Sequence, residues 1–290
     1  ITTELCFLTS VYGSSAETSD RPPDVTGLQR KSFPKSKFFL FTNINDLECP
    51  GWIKITRKFD FKRFITMSRW PKFMAWKEPI IQSCRVVFYM DGYVTPNPKN
   101  KMDILRAAQA ITESHVGMAQ NPASKKKRLD NHTLMDELKY IIRTEKDIFP
   151  NINATAKWLR SQPDYEDRNQ CQVYDNCLIG YNPRSPHFQQ ATTEFWNLYS
   201  SEEYTWRDQP FWCFVLNKLS LTPLLLGGSR HDFFTVHKMS KAPGKHKYDE
   251  THENSANEAP RQPEPERKEP HWQKQKRKKK LEKLSNELDI

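Results

Sequence analysis

The stretch RVVFYMDG, Arg85 to Gly92, sets five apolar or aromatic residues in an unbroken row between an arginine and an Asp-Gly pair. A strand with one face in water alternates apolar and polar residues. An unbroken run fits a strand covered on both faces, the usual condition inside a parallel sheet. LCFLTSVY, Leu5 to Tyr12, reads the same way and stops at Gly13, Ser14 and Ser15, before a loop with Pro22 and Pro23. FFLFT, Phe38 to Thr42, is another such strand, closed by Asn43 to Asp46, and Trp52 to Ile55 follows the Pro50-Gly51 turn. Val173 to Tyr181 and Thr222 to Leu226 are further strand candidates.

Helical spacing fills the intervals. Trp70, Phe73, Met74 and Ile81 predict a helix that Ser68 caps, with Pro71 in its first turn. Met102, Leu105 and Ala108 predict a second. Leu134, Leu138, Ile141 and Ile142 predict a third, with Thr133 and Asp136 spaced as a capping box. Ile152, Ala156 and Leu159 fit a short helix, and Phe188 to Tyr199 a longer one. Phe211, Phe214, Val215 and Leu219 fit the last. Strands alternating with helices predict an α/β fold with a mostly parallel central sheet, in one domain over residues 1–239.

Residues 240–290 read differently. From about Lys241 the chain is almost without apolar residues. It has a Pro/Glu-rich stretch near Pro260 to Pro270 and a like-charge run of Lys274, Lys276, Arg277, Lys278, Lys279 and Lys280. Such a segment cannot offset its ordering entropy, so a disordered charged tail is expected. The tail helps to lower the apolar fraction of the 290 residues to 37% and to raise the net charge to +10. A basic balance attracts phosphates, acidic glycans and anionic surfaces.

The six cysteines show no C-x-x-C pair, which argues against a zinc or dithiol redox centre. Cys6, Cys84 and Cys213 lie in or beside apolar runs and read as core residues; Cys171 and Cys177 flank a polar stretch and can pair in an oxidising compartment. Asn131 and Asn153 begin glycosylation sequons, which fit a secretory route. No run of about 18 apolar residues exists to span a membrane. The chain starts at Ile1, on a strand-like segment and without Met, so any anchor or targeting signal is expected upstream. There is no G-x-G-x-x-G and no P-loop.

Three places carry candidate chemistry. Asp91 ends the most apolar strand, where open α/β sheets bind ligands; it suits a metal-bound diphosphate or a ribose hydroxyl, and an Asp-Gly turn explains it equally. Arg207-Asp208-Gln209 precedes Pro210, so a helix starts close to Asp208; a plain helix cap accounts for Asp208 but not for its neighbours. Arg69 and Lys72, three apart near a helix start, suit a phosphate, and an ordinary solvated basic face fits them too. His231 and His237 are isolated.

In order, LTSVYG, FFLFTN with Gly51-Trp52 downstream, SRWPKF, VVFYMDG, DNCLIGYNP, FWNLYS and TWRDQPFW cover residues 4 to 237. This series resembles the glycosyltransferase-like family that includes plant hexosyltransferase-like proteins of the secretory pathway. The resemblance implies a GT-A type nucleotide-diphospho-sugar fold, transfer of a hexose from a nucleotide-sugar donor to a glycan or glycoprotein, and the Golgi lumen. It implies that Thr9, Ser10 and Tyr12 contact base and ribose, that Arg69, Lys72 and Arg207 face the donor, and that Asp91 holds Mn2+ or Mg2+. Asn176, beside Asp175, is expected to reach a sugar hydroxyl. Asp208 is expected as the catalytic carboxylate, with Gln209 beside it; Asp208→Asn is then expected to abolish transfer and spare nucleotide binding. Where many GT-A enzymes have Asp-x-Asp, this chain has Asp91-Gly92-Tyr93, with one carboxylate. Without a metal, the departing diphosphate falls to Arg69 and Lys72. Two other readings stay open. One is an inactive relative that binds without turnover. The other is a nucleic-acid binder led by the basic tail, whose binding would be steeply salt-dependent and lost on removing the tail.

Overall fold

The computed structural model describes residues 5–123, 132–163, 165–167, 172–226, 233–237 and 271–288. The strands are Leu5–Val11 (β1), Lys37–Thr42 (β2), Ile53–Thr56 (β3), Val86–Met90 (β4), Val94–Pro96 (β5), Met118–Ala119 (β6), Leu178–Tyr181 (β7) and Phe234–Val236 (β8). Six of them form one sheet in the order β3-β2-β1-β4-β7-β6. The pairings β3-β2, β2-β1 and β1-β4 are parallel; β7 runs antiparallel to β4, and β6 antiparallel to β7. The expected α/β fold with a mostly parallel sheet is therefore present.

The apolar strands are buried on both faces. Cys6, Leu8, Phe39, Phe41, Val87 and Tyr89 point into one core, and Leu5, Phe7, Phe38, Leu40, Val86, Phe88 and Met90 into the other. On the first face pack Phe64–Met74 (α2, after the short Thr26–Lys31, α1), Pro186–Tyr199 (α7) and Asp208–Lys218 (α8), which meet through Phe73, Phe195 and Trp212. A single turn, Pro79–Gln82 (α3), leads into β4. The second face is covered by Lys101–Glu113 (α4), whose buried residues are Ile104, Ala108 and Ile111. Met102 is 60% exposed, so the inward stripe lies beside the expected Met102-Leu105-Ala108 line and shares only Ala108 with it. At Gly180 a Cβ would come within 2.6 Å of Phe88 and 2.7 Å of Ile111, so the close approach of α4 to β7 requires glycine there. Leu134–Arg143 (α5) carries the expected capping box and packs with Phe149–Arg160 (α6) in a third cluster.

Several expectations are corrected. The tail is not wholly disordered: His271–Glu287 is a helix (α9) packed on α5. Leu281, Leu284 and Leu288, at i, i+3 and i+7, give it an apolar stripe that joins the third cluster, while Lys276 and Lys278 to Lys280 face solvent. The Pro/Glu-rich stretch, Asn131, Cys171 and His231 lie outside the described residues. Thr222–Leu226 is not a strand; Leu224 makes one isolated bridge to Ala119. Within Val173–Tyr181 the strand is confined to β7, because Tyr174 bridges Pro122 instead.

The helix bearing Arg69 and Lys72 starts at Phe64, not at Ser68. Its first turn has no side-chain cap; the carboxylate of Glu202, 140 positions away, accepts the backbone N–H groups of Lys62 and Arg63 and so fixes the chain just before the helix. Ser68 and Pro71 therefore sit inside α2. Cys6 and Cys84 are not plain core residues. Parallel pairing of β1 with β4 brings their Cα atoms to 5.9 Å, and they form a disulfide. Cys213 is also disulfide-bonded, and Cys177 is a free thiol, so the expected pairing of Cys171 with Cys177 does not form. No helix among the described residues is long and apolar enough to cross a membrane.

Candidate functional site

The chain leaves β1 to build β2 and β3 on one side, then returns to β4 on the other. The crevice beyond the carboxyl ends of β1 and β4 is thus the topological switch point, where open α/β sheets bind ligands. A cavity of about 320 Å³ opens beside it, at the carboxyl end of β4 and toward β7. Asp91 and Tyr93 line it from the end of β4, and Asp175, Asn176 and Cys177 from the approach to β7. Antiparallel β7 begins at this edge, which is why residues before it reach the cavity. Arg69 and Lys72 enter from α2, Arg207 to Gln209 from the start of α8, and Tyr140 and Lys146 from the end of α5.

The charges are organised around Asp208. It is the first residue of α8, with Arg207 at the cap position, and its carboxylate makes no cap. Instead Oδ2 accepts a hydrogen bond from Lys72 Nζ at 2.9 Å and lies 3.0 Å from Arg69 Nε, whose N–H points off the hydrogen-bond line. Lys72 and Asp208 are each 1% exposed. Lys72 Nζ also stands 3.6 Å from Asp91 Oδ1 and over the Tyr89 ring. Burial alone would raise the pKa of both carboxyl groups. The Lys72 ammonium and the Arg69 guanidinium more than reverse this, lowering Asp91 and holding Asp208 well below the usual carboxylate range. Burial, with Asp91 and Asp175 nearby, pushes the Cys177 thiol well above its ordinary value, so it stays protonated.

Asn176 is oriented by a relay from the core. The Trp212 indole can only donate, and it donates to Gln120 Oε1 at 2.7 Å. That leaves Gln120 Nε2 to donate to Asn176 Oδ1 at 3.0 Å. The Asn176 amide is then presented with Nδ2 lacking any protein acceptor, in a residue 1% exposed. Arg207 Nε is likewise buried without a partner, while its Nη2 donates to Gln209 Oε1 at 3.2 Å. A cavity wall with spare buried donors and four cationic side chains against three carboxylates suits an anionic ligand with hydroxyl or phosphate oxygens.

Among the described residues, no group of three or more His, Cys, Asp or Glu side chains gathers around Asp91 to hold a metal ion. Its carboxylate already faces Lys72, Asp208 is taken by two cations, and Asp175 Oδ1 accepts the Cys177 N–H at 3.2 Å. Of the expected site residues, Arg69, Lys72, Asp91, Asn176, Arg207, Asp208 and Gln209 come together in one wall. Thr9 and Tyr12 do not line it. Thr9 is buried within β1, and Tyr12 packs against Phe59 with ring centroids 5.9 Å apart. His237 lies at the β5–β8 ribbon, bonded to Thr95. Arg69 stands in the middle of α2 and Lys72 in its last turn, both away from the N-terminus, so their attraction for an anion is that of their own charges.

Two further residues hold the wall without lining it. Asp147, 6% exposed, accepts hydrogen bonds from the Thr205 hydroxyl, Asn151 Nδ2 and the backbone N–H groups of Ile148 and Trp206. Arg63 donates to the Glu202 and Tyr204 carbonyls. Together they pin the loop that leads into Arg207. Partners 58 and 139 positions apart leave no local sequence signal. Among known proteins, no family model matches the chain and no curated protein is similar to it.

Proposed function

We propose that this chain is a glycosyltransferase of the nucleotide-sugar type, moving a hexose to a glycan or glycoprotein hydroxyl. The observation that carries this reading is the cavity at the carboxyl end of β4, which joins Arg69, Lys72 and Arg207 to the unpaired amide donor of Asn176. In this reading the cations neutralise the diphosphate as its bond to the anomeric carbon breaks, and Asn176 holds a sugar hydroxyl. The strand order and the late antiparallel β7 are compatible with the GT-A type fold that the sequence resembles. The Cys6–Cys84 disulfide supports an oxidising compartment such as the Golgi lumen.

The geometry changes what is asked of Asp208. A carboxylate held by two cations is a weak base, so its part is to position Arg69 and Lys72. Gln209 is left at the cavity wall beside the acceptor. A binding protein without turnover is the second reading, favoured by that same saturation of Asp208. The test is a thermal-shift screen of the full chain with UDP-, GDP- and CMP-sugars. A ligand at about 100 times its Kd adds about 2.7 kcal/mol of stability. A shift with one donor class, and release of its sugar on adding acceptor glycans, is the expected result. A shift without sugar release supports the binding protein. No shift with any donor removes the donor site.

A further inference from the structure

We propose that the diphosphate of the donor is bound without a divalent cation, Lys72 standing at the end of β4 as the built-in counter-charge. This rests on the nucleotide-sugar reading. A metal serving that diphosphate would have to bridge Asp91 and the phosphate oxygens, at about 2.0–2.6 Å from each oxygen. Lys72 Nζ already lies 3.6 Å from Asp91 Oδ1, so a dication at that carboxylate would face a fixed ammonium across a few ångströms. The ammonium cannot swing away. It is held at 2.9 Å by Asp208 Oδ2 and packed between the Tyr89 and Phe73 rings, in a side chain 2% exposed.

Among the described residues, no second carboxylate stands ready to complete a metal shell. Asp208 serves Lys72 and Arg69, and Asp175 bonds the Cys177 amide. The donors that a diphosphate needs are nonetheless present. Arg69, Lys72 and Arg207 line the cavity, Arg207 Nε is buried and unpaired, and Asn176 Nδ2 is a second unpaired buried donor. Cations fixed in a dry wall need no reorganisation when the leaving group gains charge, which is the role a metal otherwise fills. Asp91 then has a structural task. Together with Asp208 it compensates the Lys72 charge, and it gives up part of that ammonium when phosphate binds.

The experiment is calorimetric titration of the full chain with UDP, GDP, CDP and ADP, in EDTA and again in manganese. One nucleotide is expected to bind equally well in both. Asp91→Asn keeps the shape of the wall and is expected to bind that nucleotide in EDTA at least as well as the parent, since Lys72 is freed. Lys72→Met is expected to weaken binding by about tenfold or more. Binding that appears only with manganese, or that Asp91→Asn removes, overturns the proposal and leaves the nucleotide reading standing. Absence of binding for all four nucleotides in both buffers overturns both.

Discussion

Asp208 gathers most of the electrostatic cost of the site. Its cationic neighbours lower its pKa despite burial, so its ionised form is stabilised by folding. Such a group contributes stability above the unfolded carboxylate value of about 3.9, and the contribution is lost as pH falls through the lower folded value. Asp208→Asn leaves Lys72 and Arg69 buried without their shared anion, which is expected to cost about 3 kcal/mol at neutral pH. The gap between parent and variant should narrow below about pH 4 in urea titrations. A gap that is constant with pH would mean that the carboxylate is not ionised in the fold. Binding of a phosphorylated ligand should weaken in the same variant, because the two cations lose the group that aims them. Charged residues placed where apolar runs stop, such as Asp91 and Asp208, are legible in a sequence; the partner that each takes is not. Asp208 looks like a helix cap until Lys72 of α2 is known to bring its ammonium within 2.9 Å.

Elements divide in the same manner. Strands β1, β2 and β4 could be read directly, since burial on both faces leaves only apolar choices. The start of α2 could not, because it has no side-chain cap and the residues just before it are held by the distant Glu202 carboxylate. The short β6 and the β5–β8 ribbon have too few residues to show a period. The helix α9 was hidden by its own charge: five lysines and arginines from Lys276 to Lys280 obscure three leucines that follow at helical spacing. Those leucines hold it to α5. Replacing Leu284 and Leu288 by Asp is therefore expected to release α9, seen as trypsin cleavage within residues 276–283 ahead of any cleavage in the sheet. Protection equal to that of the parent would show that the leucine stripe does not dock the helix. Since α5 also carries Tyr140 to the cavity, the same variant asks whether that wall depends on the helix behind it.

For the molecule as a unit, the Cys6–Cys84 disulfide ties the entry of β1 to the entry of β4, at the edge of the sheet away from the cavity. Closing a loop of 78 residues removes chain entropy from the unfolded state, about 4 kcal/mol in the chain-entropy account. Cys6→Ala with Cys84→Ala should lower the denaturation midpoint accordingly and leave ligand binding at the far edge unchanged. A variant as stable as the parent would place the stability elsewhere. The order of strands has a bearing on biogenesis as well. As the nascent chain emerges, Val86–Met90 can pair with β1 at once, but its other neighbour is β7, which begins only at Leu178. At about 5–20 residues per second that interval is on the order of ten seconds. Throughout it, the most apolar segment of the protein carries an open edge able to recruit strands from other chains. Ribosome-bound intermediates ending before residue 178 should therefore be the form that most needs a chaperone.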